Sequence, residues 1–295
     1  MRAILEEPLK TNRVGIIGGS GLYDMEDLTV TEEVELDTPF GPASDMFMVG
    51  ELAGREVVFL PRHGSGHRLL PSELPFRANI WGMKKLGVNR IMSVSAVGSM
   101  RENLHPCEVV FPDQFIDRTH HRRDTFFGDG IVAHIGFSDP VCPEMADVMA
   151  DAAQKCDATV HRGGTYVCIE GPAFSTRAES KLYRSWDVDV IGMTNYQEAK
   201  LAREAEICYA TMACITDYDC WREMEEPVTV EMLIENLQQN ASLAQDTVRA
   251  AIEAMPPERD CACGQALKNS IITSPEHIPS ETKRRLEIIV GDYLQ

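Results

Sequence analysis

Short runs of β-branched and apolar residues alternate along this chain with longer stretches of helical spacing, and that alternation limits the fold more than any other feature. Strands are read at Val14–Ile17, Glu56–Leu60, Arg90–Val94, Glu108–Phe111, Tyr166–Ile169, Val188–Met193 and Cys208–Thr216. Helical spacing falls at Phe76–Leu86, Pro143–Lys155, Arg177–Ser185 and Tyr196–Glu204. Val230–Ala254 reads as one long helix stopped by prolines 256 and 257, and Ser280–Leu294 as a second, short amphipathic helix. Strands interleaved with helices require an α/β fold with a covered sheet. A chain of 295 residues with 44% hydrophobic content can bury one large core. With no repeat, low-complexity tract or composition break to mark a linker, a single domain is expected over 1–295. Residues 1–12 are then an N-terminal extension, and 255–295 a C-terminal segment that closes the site or packs on the core.

Composition narrows the function. The formal net charge of −18 repels nucleic acids and anionic membranes, so an anionic substrate needs a locally built site. The start, MRAILEEPLK, lacks a signal-peptide pattern and no apolar stretch reaches membrane-spanning length, so a cytoplasmic protein is expected. Nine cysteines in such a chain default to buried, reduced thiols. Cys261 and Cys263 form a C-x-C, shorter than the C-x-x-C of a zinc ribbon, and no second pair has ligand spacing. The spacing therefore argues against a structural zinc site, and leaves redox-active or disulfide-bonded cysteines as the lesser reading.

Chemistry-bearing residues gather where predicted strands end, which is where ligands bind in open α/β sheets. "RVGIIGGSGLYD" has a strand running into glycines around Ser20, but Asp24 stands where a dinucleotide fingerprint needs its third glycine, and a P-loop lysine is missing. What remains is a turn with bare N–H groups and a hydroxyl, either an anion cradle or a turn without a ligand. "FLPRHGSGH" delivers Arg62 and His63, a fork donor and a titratable ring suited to an oxyanion, or else a solvated basic turn. "MSVSAVGSM" ends in Ser95, Ala96 and Gly98, and "VIGMTNYQE" places Thr194 after a strand with Glu198 on the next helix. Three hydroxyls, one Arg and one His suffice to hold phosphate without a metal. "ACITDYDCW" brings Asp217 and Asp219 to a strand end, where strand alternation sets both on one side and Tyr218 on the other. Paired carboxylates become proton donors when burial and repulsion raise a pKa; a metal pair or a helix cap are the alternatives. "CIEGPAFSTRAE" sets Phe174 on a Gly-Pro loop, able to stack on a flat base.

Taken together, GGSGL, PRHGxxH, SAVGS, IEGPAFSTRAE, MT and TDYDCW resemble the trimeric purine nucleoside phosphorylase family, and within it the S-methyl-5'-thioadenosine phosphorylases. The resemblance runs from about Val14 to Ala254. It implies one α/β domain with a central mixed sheet flanked by helices, a homotrimer, no metal or organic cofactor, inorganic phosphate as co-substrate and a small-molecule nucleoside as substrate. Carried over by position, Ser20, Arg62, His63, Ser95, the Ala96 amide and Thr194 would hold phosphate. Met193 would meet the ribose, Phe174 and Ser175 the purine, and Asp217 and Asp219 the base. Val230 and Leu233 match apolar positions of the 5'-methylthio pocket, and His134 matches a residue that a neighbouring subunit supplies.

Such a reaction passes through an oxocarbenium-like sugar, so the enzyme must hold the nucleophile and neutralise the departing purine. Asp217 is the expected acid toward purine N7, its other oxygen accepting from the 6-amino group of adenine. A 6-oxopurine would present an acceptor to that oxygen, so Asp217 disfavours a 6-oxopurine or methylthioinosine phosphorylase. An apolar 5' pocket disfavours a broad-specificity purine nucleoside phosphorylase, and a phosphate site disfavours a non-catalytic purine binder. The chain departs from the family in reading Thr-Asn-Tyr-Gln-Glu where Thr-Val-Pro-Glu is common. Its Cys-Ala-Cys and tail are similar to those of heat-stable members that use disulfides, with Cys142 and Cys208 matching further cysteine positions there.

Overall fold

The structure is a computed structural model that describes residues 12–19, 21, 22, 25, 27–222 and 230–294, and side chains within 230–237 are outside that description. The strands are β1 (Arg13–Gly18), β2 (Thr29–Val34), β3 (Phe47–Leu52), β4 (Arg55–Pro61), β5 (Val88–Ser99), β6 (Val109–Phe111), β7 (Gln114–Arg118), β8 (Val160–Arg162), β9 (Thr165–Ile169), β10 (Val190–Gly192) and β11 (Cys208–Asp217). The α-helices are α1 (Phe76–Lys85), α2 (Pro143–Lys155), α3 (Arg177–Ser185), α4 (Asn195–Glu204), α5 (Val230–Ala254), α6 (Ser280–Arg285) and α7 (Glu287–Val290). All strands join one mixed sheet, in the order β2-β3-β4-β1-β5-β10-β9-β7, with β11 beside β5, β6 beside β11 and β8 beside β6. This is the expected single α/β domain with helices on both faces.

Strand alternation builds the layers. Val14, Ile16, Val57, Phe59, Met92, Cys208, Ala210 and Met212 point to one face, where α2 and α5 pack through Met145, Met149, Val248 and Ile252. Ile17, Val58, Leu60, Ile91 and Tyr209 point to the other, against Ile80 and Met83 of α1 and Leu201 of α4. Leu267, Ile278, Leu286 and Ile289 of the C-terminal segment bury themselves in that second core.

One expectation changes. Ser280–Leu294 is not one helix: the backbone leaves helical geometry at Leu286 (φ −103°, ψ 9°), giving α6, α7 and a terminal 3₁₀ turn. A second finding is one that spacing along the chain could not show: three distant segments bring the sulfurs of Cys142, Cys208, Cys261 and Cys263 within 4.8 Å of one another.

Candidate active site

The sheet itself opens the site. Gly98 of β5 pairs with both Asp217 of β11 and Ile191 of β10, so β10 and β11 lie on opposite edges of β5. Ile91–Ser93 pair with both β1 and β11, which places β1 on the same edge as β10. β1 stops at Ser93 and β10 begins at Gly98, so residues 94–97 of β5 face a break between two converging strand ends. Ser95 is 7% exposed and its hydroxyl is buried without a partner. Ala96 is exposed in mid-strand. The carbonyl of Val94 points to this break, where Arg62 Nη1 donates to it at 2.8 Å. Two residues on, Ala96 presents its backbone to the same edge. Thr194, 5% exposed, follows two residues after β10 ends and is the residue that opens α4.

Arg62 and His63 enter from the end of β4. Arg62 is buried, its Nε and Nη2 donating to Glu198 at 2.6 and 3.2 Å, and Nη2 also to Ser93 Oγ and the Ile17 carbonyl. Burial pulls its pKa down, but the facing Glu198 carboxylate outweighs this and the net shift is upward. The fork expected to face an oxyanion is thus closed on Glu198; among the described residues one Nη1 N–H is left without an acceptor. Glu198 Oε2 also accepts from Ser93 and from Tyr209 at 2.9 Å, and Asn195 Nδ2 bonds Ser93 and Tyr209. The Asn195 and Glu198 of the departing Thr-Asn-Tyr-Gln-Glu segment therefore build a polar floor beneath the break.

His63 Nδ1 lies 2.8 Å from the Leu69 carbonyl, which obliges that nitrogen to carry the proton. Burial first, then the Arg62 and His67 charges, push the ring down to about 4 against the Leu69 bond, so at neutral pH Nε2 is an acceptor. An acceptor here matches the P–OH of monohydrogen phosphate.

At the end of β11 the alternation expected for the aspartates is broken. Asp217 is the last strand residue and Asp219 has φ 50°, so the chain has already turned. Asp219 N–H donates to Asp217 Oδ1 and Thr216 Oγ1 to Oδ2, both at 2.7 Å. Burial and the Asp217 charge raise the Asp219 carboxyl. A side chain at Gly98 would put its Cβ 3.0 Å from Asp217 Oδ1, so glycine there gives the carboxylate room. Cys220 Sγ donates to the Ser175 carbonyl at 3.2 Å and Trp221 Nε1 to the Ser99 carbonyl, tying this turn to the Phe174 loop and to β5. Phe174 is 82% exposed and the Ser175 hydroxyl is buried without a partner.

Ser93 and Tyr209 of the polar floor escaped the sequence reading, and so did Arg122. Arg122, with a 2% exposed side chain, donates to the Met193, Ile169 and Glu170 carbonyls, Gln197 Oε1 and the Glu170 carboxylate. It holds Met193 at its place before Thr194. Its only signal, the basic run HHRR at 120–123, is indistinguishable from a solvated turn. At Gly171 (φ 66°) a Cβ would sit 2.6 Å from Met193 Sδ, so the Phe174 loop and the Met193 side chain meet there. His134 is exposed and lies on a short ladder with the C-terminal segment, its N–H bonded to the Ser270 carbonyl. Ser20 and the side chains of Val230 and Leu233 lie outside the described residues.

A mixed sheet with this break, polar floor and aspartate turn defines a class. The chain belongs to the phosphorylase superfamily, whose pattern matches residues 13–253. Among similar sequences, the S-methyl-5'-thioadenosine phosphorylase of Gloeobacter violaceus is 59% identical, covering 95% of this chain and 96% of that protein. That of Geobacter sulfurreducens is 58% identical, covering 95% and 99%. Among solved structures, a methylthioadenosine phosphorylase from an antarctic soil metagenomic library superposes with a TM-score of 0.91 at 50% identity, covering 95% of this chain and 99% of that one. A methylthioadenosine phosphorylase from Schistosoma mansoni in complex with adenine gives 0.81 at 35%, covering 88% and 96%. Within the superfamily the chain is a member of the S-methyl-5'-thioadenosine phosphorylase family.

Proposed function

We propose that this protein phosphorolyses S-methyl-5'-thioadenosine to adenine and S-methyl-5-thio-α-D-ribose 1-phosphate, with inorganic phosphate as co-substrate and no cofactor. The observation that carries the reading is the break at residues 94–97 of β5, with the buried, unpartnered Ser95 hydroxyl at its centre. Phosphate sits there on Ser95, the Ala96 amide, Thr194, the free Arg62 N–H and His63 Nε2, with Ser20 added by the family resemblance. The names of the curated relatives support the choice of nucleoside.

In the reaction, phosphate oxygen attacks C1' as the glycosidic bond breaks. Electrons pass to the purine, and Asp217 supplies the N7 proton while its second oxygen accepts from the 6-amino group. Asp219 touches the base, and burial and the Asp217 charge raise its carboxyl above the ordinary aspartate range. Phe174 and Ser175 flank the purine, Met193 the ribose, and Val230 and Leu233 the methylthio group. His134 comes from a neighbouring chain of a homotrimer. Such an enzyme serves purine and methionine salvage in the cytoplasm; among the described residues no helix is long and apolar enough to cross a membrane.

The test is base release from methylthioadenosine, methylthioinosine, adenosine and inosine, each with and without phosphate. Adenine from methylthioadenosine only with phosphate is expected. Preferential release of hypoxanthine would overturn the role of Asp217, and release without phosphate would overturn phosphorolysis.

A further inference from the structure

Four of the nine cysteines converge at the end of the sheet opposite the candidate active site. Cys142 is the residue before the first turn of α2, Cys208 opens β11, and Cys261 and Cys263 sit at the start of a 3₁₀ turn, Ala262–Gln265. β11 carries Asp217 at its other end, nine residues along, or about 30 Å at the usual strand rise. The cluster is therefore separate from nucleoside chemistry.

We propose that Cys142, Cys208, Cys261 and Cys263 form a tetrathiolate site for a single zinc ion. The first ground is distance. Thiolates around zinc lie about 2.3 Å from the metal, which spaces tetrahedral sulfurs about 3.8 Å apart. Here all four sulfurs lie within 4.8 Å of one another, and those of Cys208 and Cys261 are 3.3 Å apart. Two separate disulfides need only two short distances; a shared ion needs all of them short. The second ground is charge. Zinc binding exchanges four S–H bonds for four Zn–S bonds, releases four protons and leaves two negative charges on the unit. Arg259 Nη1 points at Cys208 Sγ from 3.8 Å. Arg90 stands opposite Cys208 in the β5–β11 register, is 3% exposed, and its Nη2 is buried without a partner. The N-terminal end of α2 adds its peptide dipoles behind Cys142. Among the described residues the other acceptors of these guanidiniums are neutral, the Glu206 and Asn89 carbonyls for Arg259 and Asn12 Oδ1 for Arg90. A zinc tetrathiolate would therefore add a counter-charge that a disulfide pair would not. Cys142, Cys208 and Cys263 are buried and Cys261 is partly exposed, which leaves an entry path for the ion. An all-sulfur tetrahedral set suits zinc above harder divalent ions.

The consequence is structural. The ion would tie the C-terminal segment to α2 and β11, a joint that local spacing of the C-x-C could not announce because its ligands come from three separate stretches.

Full-length protein, purified under reductant without added metal, should carry about one zinc per chain by elemental analysis. Metal-free protein should take up one Co²⁺ per chain with intense sulfur-to-metal charge-transfer absorption. Cys261→Ser with Cys263→Ser should lose both the zinc and the cobalt spectrum, and lower the melting temperature, while Cys214→Ser, away from the cluster, keeps them. Activity toward the nucleoside is read separately, so its loss or retention does not bear on the ion. The proposal is overturned by protein that neither carries zinc nor binds Co²⁺, whether thiol titration then finds all nine cysteines free or four of them missing as disulfides. Equal zinc content in the double variant would overturn it as well.

Discussion

Asp217 and Asp219 stand two residues apart, and the proposed reaction gives them different roles. Both oxygens of Asp217 already accept hydrogen bonds, from Asp219 N–H and Thr216 Oγ1, so its orientation is set before any base arrives. Replacing it with Asn keeps the shape and removes the proposed proton donor. Asp217→Asn should lower turnover of methylthioadenosine by ~10²- to 10⁴-fold, the usual worth of a positioned acid, and hurt methylthioinosine less. Equal losses in kcat/KM on both substrates would remove Asp217 from base selection. Beneath the break in β5, the Arg62–Glu198 pair joins residues 136 apart in sequence, both buried. Glu198→Gln leaves a buried guanidinium without its counter-charge, which costs about 3–5 kcal/mol. A urea midpoint lowered accordingly, with a raised KM for phosphate, is the expected result; unchanged unfolding would mean that the pair is dispensable. The sequence alone marked Arg62, His63, Ser95 and the aspartates because each follows an apolar run. It could not mark the closing of Arg62 on Glu198 or the role of Arg122, since those depend on partners brought together only by folding.

Burial accounts for much of what was legible, but not all: β3 is largely buried and was missed, because FMVGEL carries a glycine and a glutamate in place of a continuous apolar run. β1, β4 and β11 were found to within one residue at each end, because burial on both faces writes long apolar runs. β5 was read as stopping at Val94 and runs to Ser99, so Ser95, Ala96 and Gly98 lie inside the strand and not past its end. β2 was missed: it reads TVTEEV and exposes all but its last residue, so no apolar alternation marks it. β7 and β8 are short and half-exposed. The tail was read as one helix because its apolar spacing is continuous, and spacing does not report the backbone break at Leu286. One helix end also carries a pH signature. Glu204, the last residue of α4, is 3% exposed and accepts from Phe126 N–H and Thr125 Oγ1, both at 2.7 Å. Burial raises its pKa to about 7 from 4.5, against those two bonds. Because the folded value is the higher, this group's stabilisation is present below pH 4.5 and is lost as pH rises through 7. The loss is about 3 kcal/mol. His63 runs the other way: its folded value, about 4, lies below 6.5, so its contribution is present above 6.5 and is lost as pH falls through 4. The two overlap, and the difference between wild type and Glu204→Gln isolates the first. That difference in unfolding free energy should shift in favour of the variant between pH 4.5 and 7 and stay flat above 8. A pH-independent difference would show that Glu204 ionises in the fold as it does in the unfolded chain.

At the scale of the whole molecule, the single chain leaves apolar surface that its own core does not cover. Val132 is 48% exposed and Ile272 65%, and the two are joined by the Ile272 N–H bonded to the Val132 carbonyl at 2.8 Å. His134 rides on the same ladder, its N–H bonded to the Ser270 carbonyl. A face that pairs exposed aliphatic residues with a histidine from the C-terminal ladder is what a neighbouring chain would bury while receiving that histidine at its 5' pocket. Periodicity could not have picked this face out, because Val132 and Ile272 belong to loops and their neighbourhood is made by a contact across 140 positions. On the proposed homotrimer, light scattering should give three times the 32.9 kDa mass of one chain. Ile272→Glu places a charge in the contact, and burying an unpaired carboxylate costs far more than one aliphatic contact gains. The variant should run at the mass of one chain and, with His134 no longer supplied, show a raised KM for methylthioadenosine. Phosphate affinity should hold, since the break in β5 is built within one chain. A variant that stays trimeric would place the interface elsewhere, and a monomer with unaltered KM would take His134 out of the neighbour's pocket.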